Sequence, residues 1–167
     1  MPVVIGAITL YSLSVFLHIT AVVVGFGSTF AESLMFPVAL KLSNRHLPYV
    51  HRLQLALNTW FATPALVVVL ITGVYQVIAG PWSFGDLWIS ATLAIVIVLG
   101  GLIGGYFIPA DRRLAPMVEQ ELAVSEGTEA TLSDDYQRRA RREGVAGGLA
   151  GFLIVLAVFL MVVKPGA

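Results

Sequence analysis

The sequence contains no cysteine. Disulfides, thiolate metal centres, iron–sulfur clusters and cysteine nucleophiles are thereby excluded. Charge is scarce as well: Asp, Glu, Lys and Arg make up only 12% of the 167 residues, against about 25% in a soluble domain. Ten basic and ten acidic residues cancel, so no basic footprint points to nucleic acid. No fibrous or collagen-like period runs through the chain. What is present is apolar: 57% of the residues are hydrophobic, too many for a disordered chain. The composition is that of a membrane protein, and the length suits one domain.

The few charges mark out the spans. None occurs before Glu32, between Arg52 and Asp86, between Asp86 and Asp111, or between Glu143 and Lys164. A membrane-crossing helix needs about 20 mostly apolar residues. Each gap holds one, at about 4–27, 57–79, 87–109 and 144–163. Continuous runs such as Ala65–Ile71 and Leu93–Leu99 do not alternate, which excludes an outer-membrane barrel. The expected fold is all-α, a single four-helix transmembrane bundle over 1–167 with cytoplasmic connections at 28–56 and 110–143.

Basic residues set the orientation. Lys41, Arg45, Arg52, Arg112, Arg113, Arg138, Arg139, Arg141 and Arg142 fall in the two long connections, and only Lys164 falls on the other side. Both termini are expected outside and both connections inside, in the cell membrane. Trp82 and Trp88 then mark the outer interface, and Trp60 and Tyr106 the inner one, as aromatic belts do. The first span lacks a basic n-region and exceeds the h-region of a signal peptide, so it is read as a retained helix.

The inner connections continue as helix. Residues 28–40 extend the apolar pattern of the first span, and Leu114, Val118 and Leu122 keep a helical period beyond Pro109. Ser133 before Asp134 and Asp135 reads as a helix start, with acids at the positive end of the helix dipole. Two hairpins projecting past the inner surface follow, with a turn at Ser125–Thr131. The outer connection, Gly80–Asp86, is short and carries Pro81.

Helices in lipid associate through small residues and occasional polar contacts. The third span carries Gly100, Gly101, Gly104 and Gly105, and the fourth Gly144, Gly147, Gly148 and Gly151. Each set holds two overlapping G-x-x-x-G pairs, which predicts close packing of these spans within one chain or a homodimer. Polar residues recur on one face of the first span (Tyr11, Ser14, His18, Glu32) and of the second (Asn58, Thr72, Gln76). Such faces belong inside the bundle. Pro64 is expected to bend the second span near Thr63.

His18 is the one ionisable side chain deep in a span, and so a functional candidate by default. Three readings stand: a hydrogen-bonded core histidine, an axial ligand of haem b, or a proton or substrate contact. His46 and His51 lie in the inner connection, about 14 Å along the helix from the level of His18, too far to share its iron. They are five residues apart rather than four, and no acid is near in sequence. A structural or surface role is expected for both, beside basic residues that suit anionic lipid heads. Glu32 is expected to pair with Arg52 or Arg45, with a proton or cation site as the alternative. No nucleotide loop, nucleophile elbow, zinc protease signature or paired intramembrane carboxylates are found, so no enzyme class is indicated.

Phe16-Leu17-His18-Ile19 followed by Gly25, then Trp60-Phe61-Ala62-Thr63-Pro64 and Thr72-Gly73, resemble a family of predicted bacterial integral membrane proteins of unknown function. Trp88 and the start of the third span fit as well. The leucine–histidine start of the first span is also similar to the copper-resistance D proteins and the membrane-embedded protoporphyrinogen oxidase. The latter resemblance implies a haem role for His18, although the third span has no lysine to partner it. Three functional expectations follow: a packing or accessory subunit, homo-oligomeric or part of a larger membrane complex; a b-type haem protein; and a small-solute or proton carrier.

Overall fold

A computed structural model of the protein describes residues 9–125 and 132–166. The expected turn at 125–131 lies outside the described residues apart from Ser125. Four rods, each long and apolar enough to cross a membrane, make up the described chain. The first is α1 (Leu10–Leu42). A 3₁₀ turn at Asn44–His46 leads into the second, α2 (Leu47–Leu57) continued by α3 (Thr63–Ala79). The third is α4 (Leu87–Leu102) continued by α5 (Ile108–Ala123), and the fourth is α6 (Asp134–Val163). No strand occurs among the described residues.

Local chemistry sets the ends. The Thr9 hydroxyl accepts from the Ser12 N–H and opens α1. Ser133 caps α6 through the Tyr136 N–H, with Asp134 and Asp135 in the first turn, as its sequence signature predicts. Glu121 reaches back to both the backbone and the hydroxyl of Ser133, closing the second hairpin. Gly80 ends α3, and a Cβ there would lie 2.7 Å from the Gln76 carbonyl oxygen, so only glycine fits this exit.

The second and third rods each contain one wider turn. Residues Asn58–Ala62 and Ile103–Phe107 are π-helical, with the Thr63 N–H donating to the Asn58 carbonyl and the Ile108 N–H to the Ile103 carbonyl. Pro64 and Pro109 follow directly. A proline ring collides with the carbonyl four residues back and supplies no N–H. A turn widened by one residue relieves both problems. The expected bend at Pro64 is thus a π turn, and π turns recur at functional sites. The two π segments touch each other inside the bundle.

Two packed regions hold the rods together. At one end Leu47, Val50, Leu114, Val118, Leu122 and Tyr136 close a core between the hairpins. Within the apolar region Leu99, Ile103 and Phe107 pack on Ala150, Ile154 and Ala157. The outward surface stays apolar: Phe16, Ile71, Ile97 and Phe152 are each more than 60% exposed, a surface suited to lipid rather than water. At the opposite end Trp82 and Trp88 meet edge to face at 5.3 Å. The Lys164 ammonium sits 4.2 Å over the Trp82 ring, a cation–π contact.

Candidate functional site

The polar faces of α1 and α3 meet first. His18 Nδ1 lies 2.8 Å from the Thr72 hydroxyl. That hydroxyl has one proton, which it donates to the Val68 carbonyl. His18 therefore donates through Nδ1. The Gln76 amide reaches Ser14 Oγ at 3.3 Å. Gly25 lies where α1 crosses α3, and a Cβ there would overlap the Ala65 Cβ. His18 thus acts as a tie between two helices. Among the described residues around it, no feature is specific to haem. Tyr11 stands at the Gly80 exit, its hydroxyl 3.3 Å from where a Gly80 Cβ would be.

The glycine sets are placed differently from the close contact expected within one chain. An added Cβ at Gly101, Gly104, Gly105, Gly144, Gly147 or Gly148 would meet nothing within 4 Å. Gly100 faces Leu66, and Gly151 faces the Phe30 ring at 3.7 Å. The third and fourth rods meet instead through Leu99, Ile103, Phe107 and Ala150. The physical reason is that these larger residues lie on the facing sides and hold the glycine faces apart.

A second polar group, which sequence reasoning did not assemble, lies at the hairpin end. His51 and Asp111 are fully buried, and Glu143 nearly so. His51 Nδ1 lies 3.1 Å from Asp111 Oδ1 and 3.9 Å from Glu143 Oε2. Its other nitrogen, Nε2, lies 2.9 Å from the buried Tyr136 hydroxyl. The Phe36 ring stands edge-on to the imidazole at 6.0 Å. Asp111 Oδ2 is buried and has no hydrogen-bond partner.

One earlier expectation is corrected here, the pairing of Glu32 with Arg52. Of the structural and surface roles expected for the two histidines, His51 takes an interior position and His46 an exposed one. Arg52 does not pair with Glu32: it bonds Glu119 at 2.6 Å, and Glu32 Oε2 instead accepts from the Asn58 amide at 3.3 Å. Outside the expected spans two carboxyl groups come together, Asp111 and Glu143, delivered by different rods. A helical signal for them exists. Asp111 is in phase with Leu114, Val118 and Leu122, and Glu143 lies midway between Tyr136 and Ala150 at intervals of seven. Both acids sit on stripes that the structure buries.

In front of this group lies a cavity of about 630 Å³ between α1 and α6. Its polar floor includes Glu32, Gln54, Asn58, Asp111 and Glu143. Phe26, Phe30, Phe152 and the glycine face of α6 form its apolar part. Phe30, Gly144, Gly148 and Phe152 on the rim are exposed, so the cavity opens sideways between the helices. Glu32 Oε1 and Gln54 Oε1 are buried without partners. Unpaired buried acceptors are costly and each calls for an explanation.

Four apolar rods, lipid-suited flanks and a polar cavity between helices define a multi-pass helical membrane protein, and the chain would sit in a lipid bilayer. It belongs to the family described as "Predicted integral membrane protein (DUF2269)", which matches residues 12–165. The function of that family is unknown. No curated protein and no solved structure matches the chain.

Proposed function

We propose that this protein binds a single-tailed amphiphile whose head carries hydrogen-bond donors or positive charge. The observation that carries this reading is the cavity between α1 and α6. Its volume, about 630 Å³, is within the ordinary range of small-molecule sites, roughly 300–1,000 Å³. Its mouth is apolar and faces sideways, where acyl chains run. Its floor ends in Glu32 Oε1 and Gln54 Oε1, two acceptors that only a donor can satisfy. A tail lying along Gly144, Gly147, Gly148 and Gly151 would meet backbone rather than side chains, and so come close.

In this reading the protein lies in the cell membrane with both termini outside, because nine of its ten Lys and Arg belong to the hairpin end. The cavity then opens into the inner leaflet. The test is photolabelling in liposomes with a long-chain amine carrying a diazirine on its tail. Label is expected on the peptides holding Phe30 and Phe152. Gly148→Leu is expected to remove it, since space for the new side chain exists and lies in the mouth. Equal labelling of Gly148→Leu and the native chain would refute the reading.

A second copy of the chain suits the other bare glycine face. Gly101, Gly104 and Gly105 have open space before them, and such faces allow close approach of two helices in lipid. Gly104→Leu is expected to convert a crosslinkable dimer into a monomer without loss of helix.

A further inference from the structure

We propose that His51, Asp111 and Glu143 hold a divalent first-row transition metal ion of the zinc type at the floor of the cavity. One ligand atom from each residue lies within 4.8 Å of the other two. Zinc bonds nitrogen and oxygen ligands at about 2.0–2.2 Å, so ligands of one ion stand roughly 3–4 Å apart. The imidazole-to-carboxylate distances here are 3.1 and 3.9 Å. Three ligands from three different rods converge on that point.

Charge gives an independent argument. With both carboxylates ionised, they and a neutral imidazole sum to −2, which a divalent cation would cancel. Leaving two ionised carboxylates together in the interior without a partner is costly. Asp111 Oδ2 adds a separate observation: it is fully buried, lacks any partner, and belongs to a residue that lines the cavity. A cation bound at this point would satisfy it.

The surroundings suit a metal-bound histidine. Such a histidine almost always donates its other ring nitrogen's proton to an acceptor, which fixes the tautomer. Tyr136 oxygen is placed to accept from His51 Nε2 at 2.9 Å. Nδ1 then presents its lone pair to the ion. Mixed imidazole and carboxylate ligation favours zinc, manganese or iron over calcium or magnesium, which prefer all-oxygen shells. Three protein ligands would leave a fourth position for a further ligand, as in catalytic zinc sites, and two of the three, Asp111 and Glu143, line the cavity. This proposal stands apart from the amphiphile reading. Glu32 and Gln54 serve that head, whereas His51, Asp111 and Glu143 serve the ion.

The test uses the full chain in detergent, stripped with chelator and titrated with Co²⁺ and then Zn²⁺. One Co²⁺ per chain is expected, with visible absorption that Zn²⁺ abolishes. Glu143→Gln and Asp111→Asn keep side-chain shape and are expected to weaken Co²⁺ binding at least about a hundredfold. Tyr136→Phe, acting through His51, is expected to weaken it roughly 10–100-fold. His46→Ala, at an exposed position, is expected to change nothing. X-ray absorption of the native chain loaded with Zn²⁺ needs no variant, and one imidazole in the shell is expected. A native chain that binds no Co²⁺, a shell without imidazole, or undiminished binding in both carboxamide variants would overturn the proposal. A proton shared between Asp111 and Glu143 would then account for the pair.

Discussion

Gly25→Ala adds a single methyl group where α1 crosses α3. The new Cβ would overlap the Cβ of Ala65, so the helices must separate or slide. Neither is free, because the same crossing carries the His18–Thr72 and Ser14–Gln76 contacts. Overpacking of this kind costs about 1–3 kcal/mol, a shift of about 5–150-fold in the folded ratio. Thermal or denaturant unfolding in detergent, followed by circular dichroism, reads the change. Ala65→Gly removes the opposing methyl and is expected to restore most of the loss in the double variant. That coupling between touching residues is the signature of a direct contact. Gly27→Ala is the control, since nothing lies within 4 Å of its added Cβ. If Gly25→Ala matches Gly27→Ala, or if Ala65→Gly fails to rescue it, the crossing is not as described.

Other outcomes follow from the same structure. His18→Ala is expected to lower thermal stability by about 0.6–2 kcal/mol, the range of interhelical hydrogen bonds in membranes, while Co²⁺ binding at the hairpin end is unchanged. Arg52→Ala removes a pair whose side chains are 67% and 38% exposed, and unfolding is expected to register less than about 1 kcal/mol. Gly80→Ala forces a Cβ against the Gln76 carbonyl and is expected to cost about 1–3 kcal/mol by the same assay.

The rods were legible because their signal is a property of long segments. Charge-free gaps of span length survive any detail of packing, and four helices long and apolar enough to cross a membrane are present, as the four gaps predicted. The cap at Ser133 was legible because capping is local chemistry. The acid–histidine group was not. His51 and Asp111 are 60 residues apart, and His51 and Tyr136 are 85 apart. Asp111 and Glu143 also stand beside arginines at the ends of spans, where each reads as an ordinary boundary charge. Only their phase with buried apolar neighbours gives them away. The glycines misled for a related reason. Spacing shows which residues share a face, but which face meets the neighbouring helix depends on larger side chains elsewhere on the rod.

The two π turns make the second and third rods jointed elements rather than single helices. A π turn holds one residue more than the turn it replaces, and one residue is about 100° of rotation. The phase of the lipid-facing segment is therefore uncoupled from the phase of the segment that builds the hairpin core. Deleting one residue from Ile103–Phe107 would turn everything beyond Pro109 by that angle, carrying Asp111 away from His51 while leaving Ile95 and Leu99 in place. The polar floor of the cavity is, in this sense, set by an insertion of one amino acid in each of two helices.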